Sequence, residues 1–348
     1  MKRSAKNVGI IMCGGVGERF WPVTRENLPK YALEFNGKTT FLEETYRRIL
    51  PVFGNRQIYV VTAQTHVKLI RKILPAIPPD RILAEPCRRN TAAATALTAA
   101  VLKHRLGDDA VLAFFPADAM ILKTEKFRQI LKRALSKAAK DPFGVVIGIK
   151  PTRPSSAYGY VECGKRDRDA SGALEVLKFH EKPSAELAQK YLKSGRFVWN
   201  AGIFVWRVGV FEHAIKAIAP EYWSHFEKMP HSVLTRPLKL RSMFRSLPST
   251  PVDRLLVERM KGLKVFPADI GWDDIGNWEA LRRMSHDASG NTILGDVRMR
   301  HTSRSVIRVP RGVRASVLGI SGVVVVLHRN RLLVCAASGA DGVKDLQR

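Results

Sequence analysis

The chain of 348 residues lacks the features that would place it in a membrane or outside the cell. Its longest apolar run near the C-terminal end, Val323–Leu327, is far shorter than the roughly 20 residues that a membrane span requires. The apolar stretch near the N-terminus ends at Gly14-Gly15, and Glu18 and Arg19 follow, so no signal peptide is predicted. The four cysteines form neither a CxxC pair nor a metal-ligand spacing, which favours reduced thiols and a cytoplasmic protein.

Acidic residues are scarce relative to basic ones. Thirty-one Asp and Glu stand against 58 Lys and Arg, which gives a formal net charge of +27. Such an excess points to polyanions such as nucleic acid, anionic lipid or phosphorylated metabolites as partners. The charge is spread over 120–140, 227–264 and 295–348 rather than gathered in a tail, and no zinc knuckle or RNP-type aromatic motif is present. We therefore expect no specific nucleic-acid partner.

The first 150 residues alternate short apolar runs with amphipathic segments. This alternation predicts an α/β fold with a Rossmann-like, mixed but mostly parallel sheet that is covered on both faces. Ligands of such sheets bind at the carboxyl ends of the strands. The predicted strands are Val8–Met12, Ile58–Thr62, Ala110–Phe115 and Val145–Ile149, and the predicted helices are Phe41–Leu50, His66–Leu74, Thr91–Leu106 and Glu125–Lys140.

The pattern loosens after residue 151 and changes again after Ser285. Strands are predicted near Tyr160–Cys163, Glu175–His180, Ile203–Trp206 and Lys264–Pro267, with a basic helical stretch over 208–262. The tail contains short β-rich runs between Gly, Pro and basic turns, which predict a small, β-helix-like all-β unit. The expected domains are a catalytic domain over 1–288 and this β domain over 289–348.

A glycine-rich loop, Gly14-Gly15-Val16-Gly17, follows the first predicted strand. Glycines let backbone amides approach phosphate oxygens closely. A dinucleotide fingerprint would need glycine where Phe20 stands, and a Walker loop would need Gly-Lys-Ser/Thr. The loop alone therefore favours a simple turn after a strand.

Two basic residues downstream change that interpretation. Arg19 follows the last glycine by two positions, and Lys30 follows Arg19 by eleven. Fixed positive charges beside a phosphate-binding loop are what phosphoryl transfer requires, because they stabilise non-bridging oxygens and a leaving pyrophosphate.

The segment GGVGERFWPVTRENLPKYA resembles the signature of nucleotide-sugar pyrophosphorylases, and most closely that of the mannose-1-phosphate guanylyltransferases. The likeness continues in order along nearly the whole chain, and its combination of motifs is specific although each alone is weak. The further motifs are Glu85-Pro86 with Arg89-Asn90-Thr91-Ala92, Pro116-Ala117-Asp118, Tyr158-Gly159-Tyr160, Glu181-Lys182-Pro183, Trp199-Asn200-Ala201-Gly202 and the run from Trp272 to Trp278.

This resemblance implies a transfer of a guanylyl group from GTP to mannose 1-phosphate, which yields GDP-mannose and pyrophosphate. A sugar phosphate has a second pKa near 6, so its attacking oxygen is already anionic and no general base is required. GTP and mannose 1-phosphate are the expected partners, Mg²⁺ the expected cofactor, and a homodimer a candidate assembly.

Site residues follow from the resemblance, motif by motif. Arg19 and Lys30 are the catalytic candidates, and Asp118 and Asp274 the Mg²⁺ ligands, with Asp273 as an alternative to its neighbour. The nucleotide-binding candidates are Gly14, Gly15, Gly17, Glu85, Asn90 and Thr91. The sugar-phosphate candidates are Gly159, Glu181, Lys182 and Asn200.

Each assignment has a plainer alternative. A Glu85 carboxylate can accept hydrogen bonds from guanine N1–H and N2–H₂, whereas Asn90 and Thr91 are equally suited to capping the helix that begins there. Glu181-Lys182 alone would read as an exposed charge pair.

The sequence also departs from the family's pattern. Tyr31-Ala32 replaces the usual Gln-Phe, and Cys13, Ala119 and Ala157 are unusual residues at their positions. In the tail, Ser321-Gly322 replaces an expected acidic residue, and the run His328-Arg329-Asn330-Arg331 replaces the usual Asp-containing turn.

Three functions remain as alternatives to the guanylyl transfer. They are another sugar-1-phosphate nucleotidyltransferase, a non-catalytic nucleotide-sugar-binding paralogue, and a nucleic-acid-binding protein that only the net charge supports.

Overall fold

A computed structural model describes residues 6–347 except 36–37, 168, 170, 228, 230–236 and 285. Its strands are β1 Asn7–Cys13, β2 Ile58–Ala63, β3 Ile82–Glu85, β4 Val111–Pro116, β5 Met120–Ile121, β6 Val145–Ile149, β7 Tyr160–Arg166, β8 Leu174–His180, β9 Phe197–Arg207, β10 Lys264–Ala268, β11 Trp272–Asp273, β12 Thr292–Leu294, β13 Asp296–Arg300, β14 Val306–Arg308, β15 Arg314–Leu318, β16 Val323–His328 and β17 Arg331–Ala336. Its α-helices are α1 Phe41–Phe53, α2 Val67–Ile73, α3 Asn90–Leu106, α4 Thr124–Lys140, α5 Ala185–Ser194, α6 Val208–Ile218, α7 Pro220–Glu227, α8 Pro237–Ser246, α9 Val252–Leu255 and α10 Trp278–Met284. Among these described residues, no helix has the length and apolarity needed to cross a membrane.

The chain divides into two compact units, each built from three chain segments. The first unit contains Met1–Gly14, Arg47–Pro116 and Ile121–Gly271. The second contains Gly15–Tyr46, Ala117–Met120 and Trp272–Arg348. The division expected from the sequence, 1–288 and 289–348, stays a prediction.

A nine-stranded mixed sheet forms the centre of the first unit, in the order β3-β2-β1-β4-β9-β6-β10-β8-β7. Strands β3, β2, β1 and β4 are parallel, as the strand–helix alternation predicts. Beyond them β9 runs antiparallel to both β4 and β6, and β7 and β8 form an antiparallel hairpin. The sheet is thus less parallel than expected, because apolar runs indicate that a strand is present but not its direction.

Helices α3 and α4 show how the sequence covers this sheet. In α3, the residues from Ala92 to Leu102 are all buried, since its alanines allow close packing on every side. In α4, Phe127, Ile130 and Leu131 are buried at helical spacing, and Lys132 and Arg133 are exposed, as the amphipathic pattern predicts.

One lysine of α4 holds the β7–β8 hairpin. The Lys137 ammonium lies 2.7 Å from a carboxylate oxygen of Asp141 and 2.5 Å from those of Asp167 and Asp169. Its side chain is only 7% exposed, and the surrounding carboxylates raise its pKa against the opposing effect of burial. The opposite end of the same hairpin leads to Gly159 and Glu181, so this ion cluster fixes an element that carries two predicted site residues.

The second unit has its own apolar core and parallel strands. Phe20, Phe41, Trp278, Val306 and Val324 are buried in this core. Strands β12, β14 and β16 are successively parallel, β13 is parallel to β15, and β17 completes the larger sheet antiparallel to β16.

We expect Lys137→Met to lower the free energy of unfolding by about 1–2 kcal/mol, because it leaves three mutually repelling, partly exposed carboxylates without their shared cation. Exposed Lys132 on the same helix provides the control, and Lys132→Met is expected to change stability by less than about 0.5 kcal/mol. Urea unfolding at neutral pH measures both effects. Equal losses in the two variants would contradict the role given to Lys137.

Candidate active site

Lys30 joins two predicted metal ligands in the second unit. It begins a short 3-10 helix, Lys30–Ala32, directly after Pro29. Its ammonium lies 2.8 Å from the Asp118 carboxylate and donates a hydrogen bond to the backbone carbonyl of Asp274. The structure therefore brings together Lys30, Asp118 and Asp274, which lie far apart in the sequence.

The surroundings of Lys30 are largely apolar. Its side chain is 9% exposed, and the ammonium lies 5.9 Å and 5.7 Å from the ring centroids of Phe20 and Phe41. Both distances permit cation–π attraction. Because water is largely excluded, the charge of this ammonium acts more strongly than that of an exposed lysine.

Gly17 makes room for Lys30. A Cβ atom at position 17 would lie 2.5 Å from the Lys30 Cβ, and Gly17 has a left-handed φ of +78°. The Lys30 amide donates to the Val16 carbonyl at 3.0 Å, and the Thr24 hydroxyl donates to the Gly17 carbonyl at 2.7 Å. Gly15 also has a left-handed φ, +75°, but has no neighbour within 4 Å of a Cβ position. Glycine is therefore needed at position 17 for two independent reasons.

Asp273 and Asp274 have different surroundings. The Asp273 carboxylate is paired with Arg283, whose Nη2 lies 3.1 Å from Oδ2, and it accepts a hydrogen bond from the Ile275 amide at 2.9 Å. Asp274 is less buried, and a Cβ at Gly276 would lie 3.4 Å from its Oδ2. Ile275, which follows Asp274, has a φ of +46°, a strained value for a β-branched residue. The Asp273 carboxylate is therefore engaged by groups of the protein itself, which favours Asp274 as the residue that contacts a ligand.

Arg19 is paired with an acidic residue near the C-terminal end of the chain. Its Nε is 3.4 Å from the Asp341 carboxylate, and its side chain is 45% exposed. Asp341 also accepts a hydrogen bond from the Asn277 side chain at 2.9 Å. In this structure the Arg19 guanidinium therefore interacts with the C-terminal segment of the unit.

A second set of predicted residues meets in the first unit. The Asn200 amide donates to the Gly159 carbonyl at 2.8 Å, and a Cβ at Gly159 would lie 2.8 Å from a Glu181 carboxylate oxygen. Gly159, Glu181 and Asn200 are thus brought together, and a side chain at position 159 would require the Glu181 carboxylate to move. Lys182 adopts a left-handed φ of +42°, and its 62% exposed side chain reaches 3.8 Å from Glu181.

Sequence reasoning missed Asp253, which belongs to this second set. The Asp253 carboxylate is hydrogen-bonded to the Asn200 side chain, and its Oδ1 is buried with no hydrogen-bond partner among the described residues. Burial raises the pKa of Asp253 to about 6, and the charges of Glu181 and Glu258 act in the same direction. The only sequence signal was an isolated acidic residue within a stretch noted for its basic charge.

Thr91 links the start of α3 to the segment that begins α9, and its contact with the nucleotide stays a prediction. Its hydroxyl accepts a hydrogen bond from the Val252 amide at 2.8 Å, and the Ala92 amide donates to the Thr250 carbonyl at 3.1 Å. These bonds hold the start of α9, the short helix that carries Asp253. Asn90 has a left-handed φ of +62°, and its Oδ1 accepts a hydrogen bond from the Thr91 amide.

Glu85 ends β3 with a buried and unsatisfied oxygen. Its Oε1 has no hydrogen-bond partner in the described part of the chain. Burial raises the pKa of Glu85 to about 7, although Arg88 opposes this shift. An acceptor held in this way is suited to a ligand that donates N–H groups.

Two places among the described residues are candidates for a cation. Asp141, Asp167 and Asp169 offer oxygens within 4.8 Å of one another, but the Lys137 ammonium already binds all three carboxylates. Asp118 instead presents a carboxylate oxygen, and Asp274 a backbone carbonyl oxygen, to Lys30 beside the glycine loop. Carboxylates are the ligands that Mg²⁺ prefers, so these two residues offer donors of the expected kind, and their role as metal ligands stays a prediction.

Comparison with known families agrees with these features. The sequence model described as Nucleotidyl transferase matches residues 8–290. The chain belongs to the nucleotidyl transferase family. This nucleotidyl transferase is therefore an enzyme, and the resemblance seen in its motifs is confirmed.

Individual relatives match it over nearly its full length. The mannose-1-phosphate guanylyltransferase of Escherichia coli (strain K12) is 32% identical, with 96% of this chain and 71% of that protein covered. Another mannose-1-phosphate guanylyltransferase of Escherichia coli is 29% identical, with 99% and 75% covered. A crystal structure from Thermus thermophilus, named a mannose-1-phosphate geranyltransferase, superposes with a TM-score of 0.89 at 30% identity and 98% coverage of both chains.

We expect Gly17→Ala to lower the free energy of unfolding by about 3 kcal/mol, because a left-handed φ and a clash with Lys30 act together. Gly312 is the matched control, since it has a φ of +86° but no neighbour within 4 Å of a Cβ position. Gly312→Ala should cost only about 1 kcal/mol. Thermal unfolding measures both variants, and equal losses would show that backbone strain alone acts at position 17.

Proposed function

We propose that this nucleotidyl transferase transfers a guanylyl group from GTP to mannose 1-phosphate. An oxygen of the sugar phosphate attacks the α-phosphorus, a new P–O bond forms, and the bond to the leaving pyrophosphate breaks. The observation that carries the proposal is the contact of Lys30 with both Asp118 and Asp274. The names of the relatives in Escherichia coli support the choice of sugar and nucleotide.

Lys30 would act by charge rather than by proton transfer. The attacking sugar phosphate is already anionic at neutral pH, so the enzyme must align it and stabilise negative charge at the α-phosphate. A positive group that is held in place, with little water around it, does so without reorganising. The low exposure of Lys30 and its two oxygen partners provide this fixed geometry.

Asp118 and Asp274 would hold Mg²⁺, and bound Mg²⁺ would neutralise phosphate charge. The Asp273 carboxylate is already engaged by Arg283 and the Ile275 amide, which supports Asp274 as the ligand of the pair. Arg19 would meet the triphosphate after leaving Asp341, a change its exposed ion pair permits at little cost. Gly14, Gly15 and Gly17 would offer backbone amides to the same phosphates.

The sugar phosphate would bind the group of Gly159, Glu181 and Asn200, with Lys182 at its phosphate. Carboxylates and a side-chain amide hold hydroxyls by accepting and donating hydrogen bonds. We add Asp253 to this group, because its Oδ1 has no hydrogen-bond partner among the described residues and its carboxylate is hydrogen-bonded to the Asn200 side chain.

Glu85 would select the base. Guanine presents N1–H and N2–H₂ donors to an acceptor, whereas adenine lacks this donor pair, so an ionised Glu85 favours GTP. Asn90, in its left-handed conformation, lies at the start of α3 on the same loop.

We also propose that residues 289–348 form a short β-helix-like domain, which follows a catalytic domain over 1–288 in the sequence. What supports this is the successive parallel pairing of β12, β14 and β16 together with that of β13 and β15. Val306 is paired with Val324 and Asp296 with Arg314, so the partners in both pairs are separated by the same number of residues along the chain.

The function is tested by a matrix of nucleoside triphosphates against sugar 1-phosphates, with pyrophosphate release as the readout. We expect turnover with GTP and mannose 1-phosphate that depends on Mg²⁺, and a loss of at least about a hundredfold in Lys30→Met. Lys344→Met, at an exposed position of the same unit, is the control. Turnover with another pair only would move the protein to a sister specificity, and no turnover with any pair would favour a non-catalytic paralogue.

We expect GTP binding to strengthen as the pH rises through about 7, because Glu85 must lose its proton to accept from guanine. The raised pKa keeps the carboxyl neutral at lower pH, so GTP binding weakens as the pH falls below about 7 and levels off above it. Glu85→Gln should bind GTP more weakly above this range and should lose this part of the pH dependence. Calorimetric titration of both proteins with GTP measures the pH dependence of the affinity, and identical pH profiles would show that Glu85 does not recognise the base.

A further inference from the structure

Three basic side chains in the second unit have buried nitrogen atoms without hydrogen bonds. These atoms are Arg25 Nε, Arg308 Nη1 and His328 Nε2, and none has a partner among the described residues. Buried polar groups are almost always hydrogen-bonded, and a group left unsatisfied destabilises the fold. The three nitrogen atoms are themselves buried, whereas each of the three residues is partly exposed as a whole.

The strand register places two of these residues on one face of a sheet. Arg308 is the last residue of β14 and is paired with Val326 of the parallel strand β16. Val306 and Val326 both belong to the buried core of the unit. Side chains two residues apart share a face, so Arg308 and His328 continue the same face beyond the core valines. Both stand at the carboxyl ends of their strands.

The neighbouring groups make this end of the sheet strongly basic. Arg331 begins β17 and is paired directly with His328. Burial lowers the pKa of His328, and nearby positive charges lower it further. These charges are Arg308, Arg25, Arg329 and Arg331. The acidic group that acts on Arg308 in this part of the chain is Glu34.

The sequence explains why basic groups outnumber acidic ones at this end of the sheet. The run His328-Arg329-Asn330-Arg331 contains no acidic residue. Arg25 comes from the signature segment that also contains Lys30, yet the proposed reaction gives it no role.

We propose that Arg25, Arg308 and His328 form an anion site that binds a phosphate group. Guanidinium groups match phosphate oxygens in geometry and bind them through charge-assisted hydrogen bonds. A dianion would satisfy the three unpaired nitrogens and offset the surrounding charge. The ligand is inorganic phosphate or the phosphate of a monoester, since both present the same oxygens.

The test follows the histidine ring of the full-length protein by NMR during titration with inorganic phosphate, glycerol 2-phosphate or sodium chloride of equal ionic strength. The His328 signal is assigned by its loss in His328→Gln. We expect a saturable shift of this signal with one or both phosphates and none with chloride. Saturation at lower concentration by inorganic phosphate or by the ester identifies the source of the ligand.

Variants link the shift to the site. Arg308→Gln should weaken phosphate binding about tenfold or more, as loss of one charge-assisted hydrogen bond predicts. Arg298→Gln, on β13 and outside the proposed site, should leave it unchanged. No nucleotide or sugar phosphate is present, so the result is independent of the proposed reaction.

A second measurement covers the case in which Arg308→Gln does not fold. His328→Asp introduces a carboxylate beside the arginines, and we expect it to raise the melting temperature in phosphate-free buffer and to abolish the stabilisation by phosphate. A His328 signal that moves equally with chloride, or phosphate stabilisation that persists in His328→Asp, would overturn the proposal.

Discussion

The second unit depends on the ammonium of Lys30. Three chain segments form this unit, and Lys30, Asp118 and Asp274 come one from each of them. The salt bridge to Asp118 and the hydrogen bond to the Asp274 carbonyl therefore join all three segments at one atom. The same contacts keep two carboxylate-bearing residues beside a fixed positive charge. The proposed catalytic residues are therefore brought together when the three segments of the unit pack.

The sequence predicted this centre because its residues lie in recognisable motifs. Gly17, Lys30, Asp118 and Asp274 each occupy a motif position, and the structure shows the close approach that requires glycine at position 17. The parallel half of the large sheet was predictable for a similar reason, since its strands are short, apolar and separated by helices. Local pattern and short motifs carry enough information for both.

Other features depend on contacts that no local pattern records. The direction of β9 is set by its neighbours β4 and β6, and its sequence fits either direction. Asp253 matters because its α9 backbone is held by Thr91, far away in the chain. Arg19 was placed by motif alone, and its ion pair with Asp341 arises from the folding of the C-terminal segment. These are long-range contacts, and one sequence does not determine them by inspection.

The three-segment construction of the second unit has a consequence for its synthesis. Phe20, Phe35 and Phe41 leave the ribosome early, whereas their core partners Trp278 and Val324 belong to the last quarter of the chain. Contacts so distant in sequence form slowly and leave apolar surface exposed in the meantime. The first unit ends at Gly271 and has all its segments before then. A nascent chain would thus hold a finished sheet while Lys30 still lacked its partner Asp274, and a chaperone would be of most use during that interval.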